Sequence, residues 1–181
     1  MAKFQDTLDE SLIKFINNQK MFFVATAPKE GKINISPKGL DGTLKIIDNS
    51  TIYWLNYFGS GNETAAHLQE DNRLTLMFCA FEGNPLILRL YCSVEVVQEK
   101  DEKWGDSIEH FENSHGARQV FKLHIESVNN SCGWGVPLYD FVSQRDKLSN
   151  YMENSTKEDH IKYMKKNNQT SFDGKPTHLF K

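Results

Sequence analysis

Apolar residues recur along this chain first at helical and then at alternating spacing. Leu8, Leu12, Phe15 and Ile16 fall on one face of a 3.6-residue period, which predicts a short amphipathic helix within residues 1–20. Thr7 and Glu10 have capping-box spacing and are predicted to start it. Residues 21–27 form a dense apolar run, 28–31 supply turn residues, and 32–36 alternate with period two, so a β-hairpin is predicted there. Further strands are predicted over 51–57, 73–81, 86–97 and 119–128, the last with Val120, Leu123 and Ile125 alternating against Lys122, His124 and Glu126. Helical composition marks 65–69, 104–111 and a charged tail over 142–168.

Strands joined by short turns pair antiparallel, whereas a regular strand–helix alternation would imply a parallel sheet. Continuous apolar runs read as strands covered on both sides. The fold class expected is mainly β with added helices: an antiparallel, closed or partly closed barrel with helices at its mouth. At 181 residues the chain fits one domain, with a helix over 1–20, a barrel over 21–141 and a helical tail over 142–181.

Composition narrows the function classes. With 21 basic against 24 acidic residues and a net charge of −3, neither nucleic acid nor an anionic membrane would be attracted as a partner. No apolar run approaches the ~20 residues needed to cross a bilayer, and none resembles a secretory signal, so a cytoplasmic location is expected. Cys79, Cys92 and Cys132 are odd in number and widely spaced, with no CxxC pair. Neither a disulfide framework nor a structural metal is expected.

Three segments carry candidate chemistry. In Gly59-Ser60-Gly61-Asn62-Glu63-Thr64 two glycines allow close backbone approach, and a helix start adds N–H donors, which suits a phosphate. The same residues also read as a plain loop with Ser60 or Asn62 as helix cap. In Asn34-Ile35-Ser36-Pro37-Lys38-Gly39, Pro37 removes a ladder donor and marks a strand end or edge. Lys38 there would pair with a phosphate or an electron-rich ring, or sit solvated in a turn. Trp134, flanked by glycines in Cys132-Gly133-Trp134-Gly135, would pack on a flat ligand, on a partner subunit, or in the core. Arg89 within an apolar strand needs an anion, from a ligand or a protein carboxylate. No catalytic set can be assigned from spacing.

These segments, with Asn72-Arg73-Leu74-Thr75-Leu76-Met77-Phe78 and Pro85-Leu86-Ile87-Leu88-Arg89-Leu90-Tyr91 between them, occur in an order and spacing that resemble pyridoxamine 5'-phosphate oxidase-related proteins. The similarity runs from about Met21 to Arg145. It implies an FMN-binding split β-barrel and a homodimer with flavin at the subunit interface. By motif, Asn34, Ser36, Pro37 and Lys38 would line the flavin ring or ribityl chain. Leu55 and Asn56 would contact the flavin from a strand end. Ser60, Gly61, Asn62, Glu63 and Thr64 would approach its phosphate, and Trp134 would reach across from the other subunit. Asn56 stands where relatives carry an acidic residue, and the oxidase's Arg/Lys phosphate pair is missing. The resemblance therefore implies the flavin and an oxidoreductase acting on a small molecule, rather than oxidation of pyridoxamine phosphate itself. The alternative from a different class is a non-catalytic flavin carrier or sensor.

Overall fold

The computed structural model describes residues 3–180. In chain order the elements are β1 (Lys3–Gln5), α1 (Glu10–Asn18), β2 (Phe22–Thr26), β3 (Asn34–Lys38), β4 (Leu44–Ile46), β5 (Thr51–Tyr57), α2 (Glu63–Leu68), β6 (Arg73–Cys79), β7 (Ile87–Val97), α3 (Trp104–Ile108), β8 (Ala117–Ser131), α4 (Lys147–Glu153) and α5 (Lys157–Asn167). All strand pairs among them are antiparallel. They form one eight-stranded sheet in the order β3-β2-β6-β7-β8-β5-β4, with β1 added to β8. The fold is mainly β and antiparallel, as the alternation predicts, and of the split-barrel type that the resemblance implies.

The helix α1 starts two residues later than its capping-box spacing predicts. Asp9 is the N-cap, its carboxylate accepting from the Leu12 amide at 2.9 Å. Thr7 precedes it, and Glu10 is already the first helical residue. A complete capping box does occur, but at Thr156 and Asp159, where it opens α5. The α1 face is as predicted: Leu8, Leu12 and Ile16 are buried in the main core with Val24, Leu76, Leu90 and Phe121 from the sheet. Trp54 is the centre of that core, stacked on Phe121 at 4.6 Å and edge-on to Phe22 at 6.3 Å. Each such aromatic pair is worth about 0.5–1.5 kcal/mol beyond its buried area.

The hub of the sheet is β8, which pairs with β1, β5 and β7. Its register with β5 is irregular at one point. Asn56 lies opposite Gln119 and Tyr57 opposite Ala117, so Arg118 is the extra residue of a β-bulge. A bulge breaks the in–out alternation and re-aims the side chain at that point. Here it buries Arg118 and Gln119 consecutively, at 6% and 0% exposure. The other informative irregularity is β3, an edge strand paired only to β2, with Pro37 opposite Phe23. This is the placement that the missing proline donor requires.

After β8 the chain runs without regular structure to α4, and the two tail helices return to the start of α2. Phe58, Met152 and Met164 form a small separate core there. Gly116, at φ +80°, lets β8 begin beneath it: a Cβ at this position would lie 2.7 Å from Met152 Sδ and 3.1 Å from Phe58 Cε1. Among the described residues no helix is long and apolar enough to cross a membrane, and no cluster of side chains could hold a metal ion.

Candidate functional site

The end of β5, the turn after it and the edge strand β3 enclose a cavity of about 460 Å³. Period two explains the β3 side: Asn34, Ser36 and Lys38 are alternate residues and share one face of the strand. Pro37 also borders the cavity. From β5 come Trp54, Leu55 and Asn56, and from the turn Ser60, Gly61, Asn62, Glu63 and Thr64. The structure thus gathers on one cavity every predicted site residue except Trp134. That residue is 84% exposed on the segment between β8 and α4 and does not border the cavity.

The dominant charge in this cavity belongs to a residue that the sequence patterns do not single out. Arg118 borders it from the bulge in β8. Its Nε and Nη2 donate to Asn56 Oδ1 at 3.1 and 2.6 Å, and Nη1 donates to Gly61 O and to Asn168 Oδ1, each at 2.8 Å. Every acceptor is a neutral amide oxygen. A buried cation is ordinarily matched by a carboxylate, and none contacts Arg118 here. Burial accordingly pulls its pKa from 12.5 to about 9. Of the five N–H donors of a guanidinium, one on Nη2 is left over.

A second cation lies close by. Lys38 Nζ sits 5.5 Å from the centre of the Trp54 ring. Burial, and then repulsion from Arg118, lower its pKa from 10.5 to about 8. Glu63 is the acidic group on the cavity, and its carboxylate is turned to the tail, where it accepts from the Phe172 amide at 3.0–3.1 Å. The cavity is therefore electropositive within a protein of net negative charge.

The turn differs in detail from its reading as a helix-end anion site. The helix α2 has only six residues, so few peptide dipoles add at its start. Asn62 occupies the N-cap position without a side-chain cap bond. Its Oδ1 instead accepts from Gln119 Nε2 at 2.8 Å, which leaves Asn62 Nδ2 buried without a protein partner. Neither Gly59 nor Gly61 has a positive φ. A Cβ would meet nothing within 4 Å at Gly59, and only Glu63 Oε1 at 3.6 Å at Gly61. The backbone does not require glycine at either position, so what the two glycines provide is open space beside the cavity.

Other residues with reactive or polar side chains are held or buried elsewhere. His67 is buried and lies 3.0 Å, Nδ1 to Oγ1, from Thr26. Arg89 Nη1 donates to Ser131 Oγ at 3.4 Å. Cys92 is buried, and its thiol is pushed up to about 12. None of the three borders the cavity.

Comparison with known proteins places this architecture. The family described as pyridoxamine 5'-phosphate oxidase matches residues 8–132. The pyridoxamine 5'-phosphate oxidase family protein ustO of Aspergillus flavus is 34% identical over 193 residues, covering 97% of this chain and 78% of that protein. Among solved structures, HupZ of Group A Streptococcus shares the fold, with a TM-score of 0.53 and 21% identity over 69% of this chain and 94% of that one. The extent of these matches, together with the ordered motifs around the cavity, shows that the chain belongs to the pyridoxamine 5'-phosphate oxidase family.

Proposed function

We propose that the cavity binds flavin mononucleotide and that the protein is a flavin-dependent oxidoreductase acting on a small molecule. The observation that carries this reading is Arg118: a buried guanidinium on a cavity wall, held by amide oxygens and matched by no carboxylate. Such a charge favours an anion entering the cavity, and a phosphate accepts from arginine in charge-assisted bonds. Asn62, whose Nδ2 is buried without a protein partner, borders the same cavity. A cavity of about 460 Å³ with apolar walls from Trp54, Leu55 and Leu148 is of the size and character that suit a cofactor ring. Family membership points to the same class of ligand.

In this reading Arg118, Ser60, Gly61, Asn62 and Thr64 hold the phosphate end. Asn34, Ser36 and Pro37 line the ring or ribityl chain. Lys38 places a cation against the ring, where it stabilises negative charge that develops on reduction. Bound flavin would supply the hydride or electron transfer, and the chain supplies position and electrostatics. Exposed apolar side chains at Trp134, Leu138, Tyr139 and Val142 support a homodimer in which this segment covers a second copy and Trp134 reaches toward its flavin.

The test is retention of flavin by the purified chain. Incubation with FMN followed by gel filtration should leave a yellow protein carrying close to one flavin per chain, while riboflavin should wash out. A colourless protein after FMN loading would refute the reading. Anaerobic addition of NADPH or NADH, then of acceptors, separates the oxidoreductase from a carrier: bleaching and reoxidation support the enzyme, and a flavin that never bleaches supports the carrier.

A further inference from the structure

The C-terminal segment after Val142 lies outside the residues that match the family, yet it enters the cavity's polar shell at one side chain. Asn168, the C-cap residue of α5, is fully buried. Its Oδ1 accepts from Arg118 Nη1 at 2.8 Å, and its Nδ2 donates to Gly59 O at 2.8 Å. Its own backbone is held on both sides: its amide donates to Met164 O at 2.8 Å, and its carbonyl accepts from Thr177 Oγ1 at 2.7 Å. One amide group therefore ties the arginine to the glycine turn, and both of its ends are used.

Three further contacts fasten the tail to the body of the protein, one of them at Glu63 on the cavity wall. The Phe172 amide donates to Glu63, Asp173 pairs with Lys32 at 2.9 Å, and Lys175 pairs with Glu70 at 2.6 Å. These contacts hold the tail down, and the exposed ion pair among them, Lys32–Asp173, contributes little by itself. Asn168 differs because it reaches a buried charge. An amide fixes that charge in place without neutralising it, whereas a carboxylate at the same position would cancel it and would lose the donor that Gly59 O receives.

We propose that Asn168 is a positioning residue that makes the C-terminal tail part of the anion site: it orients Arg118 and the Gly59 turn together while leaving the guanidinium charge free for a ligand phosphate. This rests on the reading of the cavity as a flavin phosphate site. It adds to that reading that occupancy and tail docking are coupled, so each strengthens the other.

Two measurements test it. In the first, FMN and riboflavin affinities and the melting temperature of the flavin-free protein are compared for wild type, Asn168→Ala and Asn168→Asp. Asn168→Asp, which sets a carboxylate against Arg118 and loses the donor to Gly59 O, should weaken FMN at least tenfold while riboflavin affinity changes less than about threefold. Asn168→Ala should melt lower and weaken FMN less than the aspartate does. A purely structural Asn168 predicts that FMN and riboflavin weaken together in step with the melting temperature, and that result would overturn the proposal. The second uses wild-type protein only, and so stands even if a variant fails to fold. Hydrogen exchange at the amides of Asn168 and Thr177 should slow on adding FMN and not on adding riboflavin. Equal exchange with and without FMN would also overturn it. If wild type binds no flavin at all, the flavin reading fails by itself. Inorganic phosphate then replaces FMN in both measurements: slowed exchange at Asn168 supports the positioning role, and no response to phosphate ends it.

Discussion

Replacing Arg118 with methionine separates the cost of this residue to the fold from its value to a ligand. In the ligand-free protein the guanidinium makes four hydrogen bonds to neutral oxygens. Against these stands its desolvation: the fall in pKa from 12.5 to about 9 corresponds to roughly 5 kcal/mol against the charged form. Methionine relieves that desolvation but takes the donor from the Asn56, Gly61 and Asn168 oxygens, at about 1–3 kcal/mol for each one left buried without a partner. The two effects oppose each other, so the flavin-free melting temperature should fall by no more than about 15 °C, given roughly 2–4 °C per kcal/mol for a chain of this size. Phosphate binding should respond quite differently. One charged hydrogen bond is worth about 1.5–3 kcal/mol, so FMN should bind on the order of 10- to 150-fold more weakly. Riboflavin, which has no phosphate, should bind within about threefold of wild type, since threefold is only ~0.7 kcal/mol. Fluorescence titration of both flavins at fixed ionic strength, alongside a thermal melt, gives all three quantities. An FMN-to-riboflavin preference equal to that of wild type would refute the assignment of Arg118 to the phosphate.

Lys38 predicts a pH dependence. The folded, flavin-free protein releases this proton near pH 8 and the unfolded chain near 10.5. The unfolded chain thus holds the extra proton between those values, and stability should climb with pH across that window. Lys38→Met should remove the part of the climb that starts near pH 8, and FMN affinity, falling above pH 8 in wild type, should hold level until Arg118 loses its proton near pH 9; denaturant melts and flavin titrations at several pH values check both. His160 has the opposite working range: burial and the neighbouring His115 ring, at 4.9 Å, hold its pKa below 6.5, with Asp159 acting against them. The unfolded chain protonates first, so stability should fall as pH drops below 6.5, and His160→Gln should reduce that fall in thermal melts. Gly116→Ala combines a left-handed backbone with contact against Met152 and Phe58. It should destabilise by roughly 1–3 kcal/mol, read as a lower denaturant midpoint; an unchanged midpoint would contradict the packing of the tail on β8.

Some of this site is legible in the amino-acid order because it obeys a local period. Asn34, Ser36 and Lys38 alternate on one strand, so period two alone puts them on a common face. The residues around Gly59 to Thr64 are consecutive and punctuated by glycine, which marks a turn after β5. Arg118 is not legible in this way. It stands at the start of a strand beside Ala117, where a charged residue ordinarily faces water, and only the bulge opposite Asn56 and Tyr57 turns it inward. Bulges depend on pairing across the sheet, which spacing along one strand does not encode. Asn168 is hidden for a similar reason: its polar neighbours Asn167 and Gln169 resemble any helix end, and its partners lie 50 and 109 residues away in sequence. Trp134 is legible as an aromatic between glycines, with a ligand, a partner subunit and the core all open as its contact; the structure leaves it exposed, and in the reading proposed above it packs on a second copy.

The most direct measurement is a crystal structure of the protein grown with FMN. The account predicts flavin density in the cavity between β3 and β5, with the phosphate within hydrogen-bond distance of Arg118 and the turn at Gly61 and Asn62. Density elsewhere, or a cavity filled by solvent while Arg118 keeps only its amide partners, would contradict it.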